Sequence, residues 1–291
     1  MPPKTRTAGP AQWTDVVQRL AARIPQVASL PLGLIGRLPN DELWQFKALV
    51  DTGEDIYATT IVALQAIDAL GKELHKTTGP GPDGSLSTED RLRVWAGDPA
   101  GHGRPQWTVV AMAATAWCNV LEGFLNGISA MAISVDAVAR VRSVFPDAGI
   151  EWASIESARR AIAPRMRPST KKKAQWVGYL EAVFGCRFDA DVVIALRSLV
   201  SFRNTVIHPE RGRSHDEHRS HPSSEEWVAW SLAVRILAGT IMNALADRID
   251  ERRAAGEIIP LFPDGRGNPE PLGRSSAEAG LPEGAKQSSQ G

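Results

Sequence analysis

The stretch from Trp107 to Ala132 constrains the fold most, because it has helical spacing and is apolar on most of its sides. Such a helix has to be enclosed by more than one neighbour. Its polar exceptions, Thr115, Asn119, Glu122, Asn126 and Ser129, fall on one face. That face reads in two ways: as the solvent edge of the helix, or as a line that aims Glu122 at a buried cation and supplies its counter-charge.

The rest of the chain is patterned the same way. Trp13, Val16, Val17, Leu20 and Ile24 have helix spacing, with Pro25 as its stop. A second helix is predicted after a capping Asn40, with Leu43, Phe46, Leu49 and Val50 inward and its end at Gly53. A third follows from Glu54 to Lys76, burying Ile56, Thr60, Ala63, Leu64, Ile67, Leu70 and Leu74. Glycine and proline crowd residues 77–87 and 97–105 around a short piece at Arg91 to Trp95, which reads as a hinge. Beyond residue 132, helical pieces are predicted at 135–145, 152–163, 174–184 and from Asp189 onward. A last long helix is capped by Ser223 with Glu226 and carries Trp227, Trp230, Val234, Leu237, Ile241, Leu245 and Ile249 on one face. No strand alternation survives anywhere, so the fold class is all-α. The expected organisation is an N-terminal helical accessory region over 1–104, a helical bundle over 105–253 and a disordered tail over 254–291.

The helix from Asp189 holds the feature that bears on function. Val192, Ala195, Leu196, Leu199, Phe202, Val206 and Ile207 form its apolar arc, and Arg203 falls in the middle of it. A guanidinium does not shed its charge, so in that position it needs a carboxylate, a polar cavity or a ligand phosphate. Asn204 and His208 lie four residues apart beside the arc, and Arg197 and Ser201 extend that polar edge backwards. Pro209 disfavours helical backbone at His208, so the helix is expected to stop there.

Charge and composition narrow the alternatives. The 33 basic and 33 acidic side chains balance, so any nucleic-acid surface is local. The one concentration of cations is Arg159, Arg160, Arg165, Arg167, Lys171, Lys172 and Lys173, which reads either as a phosphate-backbone surface or as a solvated loop. Cys118 and Cys186 lack metal spacing and read as buried reduced thiols of a cytoplasmic protein. No signal peptide is expected, nor any apolar run long enough to span a bilayer. His215, His218 and His221 have only a weak zinc-like spacing, and no metal or cofactor is expected; the loop that holds them, with Arg211 and Arg213, reads better as the neighbour of a phosphate site.

The run Arg203-Asn204-Thr205-Val206-Ile207-His208 resembles the signature of the HEPN superfamily (higher eukaryote and prokaryote nucleotide-binding domains): an arginine, a polar residue, three variable residues and a histidine, late in a helical bundle. Residues 116–126 are similar to an early helix of that family, in which an acidic residue often lies near the arginine. The resemblance covers 107–253. It implies a metal-independent endoribonuclease, a toxin or phage-defence effector, whose site forms where two signatures meet across a homodimer. His208 would then serve as general base or acid, Arg203 as the phosphate fork, Asn204 as an orienting group and Glu122 as the holder of the arginine. Arg165, Arg167, Lys171, Lys172, Lys173, Arg211 and Arg213 would bind RNA. A cognate antitoxin or defence partner is a further implied partner, and no membrane is. Some members of that family bind nucleic acid or nucleotides without cutting, and a purely structural helical protein is the remaining alternative.

Overall fold

The structure is a computed structural model, and it describes residues 10–74, 104–150, 154–169, 175–207 and 222–259. Among these residues there are helices and their connections and no strand, an all-α fold. The helices are α1 (Pro10–Ala21), α2 (Ile24–Leu34), α3 (Asn40–Leu74), α4 (Arg104–Ala132), α5 (Val135–Val144), α6 (Ile155–Ile162), α7 (Gln175–Phe184), α8 (Ala190–Ile207) and α9 (Ser224–Ala254). A 3₁₀ turn (Ala163–Met166) extends α6.

The centre of the bundle is α9. From Trp227 to Ala246 it buries residues on nearly every side, including Ala229, Ser231, Ala233, Ala238 and Gly239, none of which belongs to the amphipathic face read from the sequence. Small residues let neighbours close in on it: a Cβ on Gly239 would lie 2.9 Å from Leu30 and 3.3 Å from Val27 on α2. By length and composition, residues 106–129 and 224–254 could each cross a membrane, contrary to the expectation above. The most apolar part of α9 is 72% buried against other helices and that of α4 44%. Such burial is how core helices satisfy the same composition.

Two punctuation marks act differently from their sequence reading. Pro25 does not end α1, which stops at Ala21; it sits in the first turn of α2, where a missing N–H costs nothing. Gly53 does not end a helix either. Helix α3 runs through it, and a Cβ there would meet the Trp117 ring at 2.4 Å. The glycine is a seat for the fully buried indole of α4. With Gln45 against Gly127 at the other end, this contact shows that α3 and α4 run antiparallel. Burial along α3 stops at Thr60, so Leu70, expected inside, is 51% exposed.

Among the described residues, the N-terminal helices share a core with the rest of the bundle. Trp13, Val16, Leu20, Leu34, Phe46 and Leu49 belong to the same core as α4, α8 and α9. Arg19 pairs with Asp191 at 2.6 and 2.9 Å, and Arg23 with Asp189, which ties α1 to the start of α8. Of the expected hinge, Arg104 and Pro105 belong to α4, and of the expected tail, Ala254 ends α9 and residues 255–259 follow it; the remainder of both lies outside the described residues.

Arginines close the helix ends far from residue 203. Arg140 donates to the Ala182 and Val183 carbonyls at 2.9 Å, and Arg248 to Val183 at 3.0 Å and Ala132 at 3.3 Å. Arg253 reaches the carbonyls of Gly36 and Arg37. The Ala132, Ala182 and Val183 carbonyls are orphan acceptors that a helix C-terminus leaves, satisfied here by side chains, while Gly36 and Arg37 lie in the turn after α2. Burial depresses the Arg248 guanidinium below its usual range, and the neighbouring Arg140 adds to this.

Candidate active site at the end of α8

The inner face of α8 forms as its spacing predicts. Val192, Ala195, Leu196, Leu199 and Val200 are buried, and Phe202 and Val206 are half-buried. Phe202 sits between Trp107 of α4, edge-on at 6.2 Å, and Trp230 of α9 at 5.2 Å. That clamp fixes the last turns of α8 and so the direction in which Arg203 leaves the helix.

Arg203 and Glu122 meet. The guanidinium Nη2 donates to Glu122 Oε1 at 2.9 Å, with the two side chains 19% and 30% exposed. Of the two readings of the α4 polar line, Asn119 and Asn126 are indeed at the solvent edge, whereas Glu122 faces α8. The guanidinium also reaches the thiol of Cys118, one turn before Glu122 and fully buried. Burial pushes that thiol up to about 11, against the opposing pull of Arg203, so Cys118 is an un-ionised neighbour rather than a nucleophile at neutral pH. Arg203 Nε is buried and makes no hydrogen bond. One edge of the fork is therefore held by Glu122 while another carries an unmet donor.

A second polar group lies one turn earlier. Trp230 Nε1 donates to Ser198 Oγ at 3.1 Å, and Ser198 Oγ donates to Glu226 Oε1. The Ser223 hydroxyl caps α9 by accepting from the Glu226 N–H at 3.2 Å, so half of the expected capping box is present. The Glu226 carboxylate also turns to α8, where it accepts from Ser198. Burial raises its pKa, with Ser198 and the Ser223 contact opposing. Sequence reading found Ser223 and Glu226 but not Ser198 or the Trp230 donor, since a serine at an ordinary helical position carries no signal of its tertiary partner.

The remaining candidates divide. Asn204 is half-buried beside Arg203 and already engaged in an interaction. Arg197 and Ser201 are exposed, and Thr205 Oγ1 donates back to the Ser201 carbonyl at 3.0 Å. Arg165 is not a free cation. Its Nη2 donates to the Ala148 carbonyl at 2.7 Å and its guanidinium lies over the Tyr179 ring at 5.8 Å, contacts that tie it to the fold. Arg159 is likewise bound to the Ile133 carbonyl at 2.9 Å. Arg167 is exposed. His208, Lys171, Lys172, Lys173, Arg211, Arg213, His215, His218 and His221 lie outside the described residues. Among the described residues no group of three or more histidine, cysteine, aspartate or glutamate side chains is placed to hold a metal ion.

Comparison of the chain with protein-family models, with curated proteins and with solved structures yields no match.

Proposed function

We propose that the protein is a metal-independent endoribonuclease of the HEPN type, a cytoplasmic toxin or phage-defence effector that works as a homodimer. The observation that carries the proposal is the Arg203–Glu122 pair. An arginine inside an apolar arc is met by a carboxylate from a second helix, five residues before a histidine in the chain. RNA brings its own nucleophile to such a site. A histidine near neutrality takes the proton of the ribose 2′-hydroxyl, and the 2′-oxygen forms a bond to the adjacent phosphorus. The P–O5′ bond breaks, the 5′-oxygen receives a proton from a second acidic group, and a 2′,3′-cyclic phosphate remains. His208 is assigned to proton transfer, with the partner copy's equivalent as the second group. Arg203 offers fixed donors to the phosphate oxygens as negative charge concentrates on them. Glu122 holds the guanidinium by one nitrogen, and Asn204 orients the histidine or the phosphate.

The experiment is cleavage of RNA by the purified protein in EDTA. Wild type should yield fragments with cyclic phosphate ends, and His208→Ala should yield none while keeping its helical spectrum. Cleavage retained by that variant overturns the mechanism. The low exposure of Arg203 favours one second reading, in which the pair only fixes the register of α4 and α8. In that case neither wild type nor variant cuts RNA.

A further inference from the structure

The chain does not leave the bundle when α9 ends. Gly256 takes a φ of 90°, a left-handed conformation that turns the backbone back on itself. Its N–H returns to the Arg253 carbonyl at 2.9 Å and that of Glu257 to Arg252 at 3.0 Å. The Glu257 carboxylate then pairs with the Arg252 guanidinium at 2.6 Å, and Ile259 packs against the core. Arg253 fastens the result. Its Nη2 donates to the Ile259 carbonyl at 3.4 Å, while Nη1 donates to the carbonyls of Gly36 and Arg37 at 3.0 and 2.8 Å. One guanidinium thus holds the outgoing chain against the turn that follows α2.

That turn has an uncovered apolar side. Residues 24–36 carry no charge. Leu34 is buried, but Ile35 is 64% exposed, and a Cβ added at Gly33 or at Gly36 would meet nothing within 4 Å. A lone exposed aliphatic side chain is ordinary; what sets Ile35 apart is the segment that arrives beside it. After Ile259 the sequence runs Pro260-Leu261-Phe262-Pro263, and the first charge is Asp264. The Ile259 and Gly36 carbonyls share one guanidinium, so the chain leaves the described residues next to the turn. Two or three extended residues, about 7–10 Å, bring Leu261 and Phe262 within reach of Ile35.

We infer that the turn after α2 is a docking surface for the chain's own C-terminal segment, with Leu261 and Phe262 seated on Ile35 and on the bare backbone of Gly33 and Gly36. Continuity selects this occupant. Anchored at Ile259, the two side chains are held beside the patch at an effective concentration of about millimolar, which a free partner has to exceed. Pro260 and Pro263 disfavour helical backbone at Ile259 and Phe262, and neither brings an N–H that needs a partner, so the segment is suited to cross a surface extended. The glycines leave room for a phenyl ring, and burying it with Ile35 removes apolar area from water on both sides. The result is a strap that joins the end of α9 to the end of α2. It stands apart from Arg203 and does not depend on the ribonuclease reading.

The test is disulfide trapping in the full chain at low protein concentration, with the linked peptides identified by mass spectrometry. Ile35→Cys is combined with Phe262→Cys in one protein and with Ser275→Cys, farther along the same segment, in another. The bridge between positions 35 and 262 should form within one chain and at least ten times faster than that between 35 and 275. Hydrogen exchange supplies a second measurement on the Arg37 and Leu38 amides, which donate to the Leu34 carbonyl. In Leu261→Asp with Phe262→Asp, at unchanged far-ultraviolet dichroism, these amides should exchange several times faster than in wild type, and the amides of α4 at the wild-type rate. Equal trapping rates for the two pairs, or exchange at 37 and 38 that ignores the aspartates, overturns the inference. A 35–262 bridge that joins two chains also overturns it, and assigns the patch to a second copy.

Discussion

Two groups of arginines in the bundle are held in opposite ways. Where α4 and α7 finish, Arg140, Arg159 and Arg248 donate to main-chain carbonyls. Where α8 finishes, Arg203 meets a side-chain carboxylate instead. A carbonyl is fixed in the backbone and holds its partner permanently, so the first set joins helix ends. A carboxylate on a rotatable stem balances the charge of a guanidinium and still lets it be offered to another anion. The lesson is that membership of a basic run does not by itself put a side chain on a basic surface. Arg159 and Arg165 come from the densest cationic stretch of the chain, and both are taken up by carbonyls.

The contrast is broken most forcefully at Arg248. Arg248→Ala leaves the Ala132 carbonyl without this donor and Val183 with Arg140 alone. An unsatisfied buried acceptor costs ~1–3 kcal/mol, so a loss of about 3 kcal/mol is expected once the packing of the arginine stem is included. Urea denaturation measures it, and a loss below about 1 kcal/mol would show that the clamp is not structural. Glu122→Gln comes next. It keeps the shape of the partner and removes its charge, leaving a partly buried cation. The cost of breaking a buried pair, discounted for the partial exposure of both side chains, is about 1–2 kcal/mol. On the proposed function, RNA cleavage falls more than stability does, because the fork loses its orientation.

Glu226 supplies the smallest effect and a test of sign. Its folded pKa is raised above the ordinary carboxylate value, chiefly by burial. A raised folded pKa means that the group's favourable contribution is complete below the unfolded pKa and lost as pH climbs through the folded one. Wild-type stability should therefore decline as pH rises out of the carboxylate range, and Glu226→Gln should lack that decline. The variant should be no less stable than wild type at neutral pH, since an amide oxygen still accepts from Ser198. Thermal melts at a series of pH values decide it, and an unchanged slope in the variant would assign the dependence to another group.

Most of the helices were legible because each rests on local periodicity. The inward arcs of α4 and α8, the start of α9 at Ser223 and the all-α class follow from spacing alone. What was not legible depends on neighbours. Gly53 has the composition of a break, and only the arrival of Trp117 turns it into a seat. Arg165 looks like any cation in a basic run until the Ala148 carbonyl is placed beside it. At the candidate site, Arg203 was conspicuous because a charge in an apolar arc violates a local rule. Its partner Glu122 stood among equals on a polar line, and Ser198 gave no signal. The N-terminal helices were set apart by the glycine and proline between 77 and 105, yet Leu20 and Phe46 lie in the common core. A connecting segment's composition describes its backbone and not the surfaces that it joins.

The most direct test compares Arg203→Gln with Arg248→Gln, each assayed for RNA cleavage in EDTA at a temperature where its helical spectrum matches that of wild type. The account predicts cyclic-phosphate fragments from wild type and from folded Arg248→Gln, and none from Arg203→Gln. Fragments from folded Arg203→Gln at the wild-type rate would contradict it, and would place that arginine with the others as a fastening between helices.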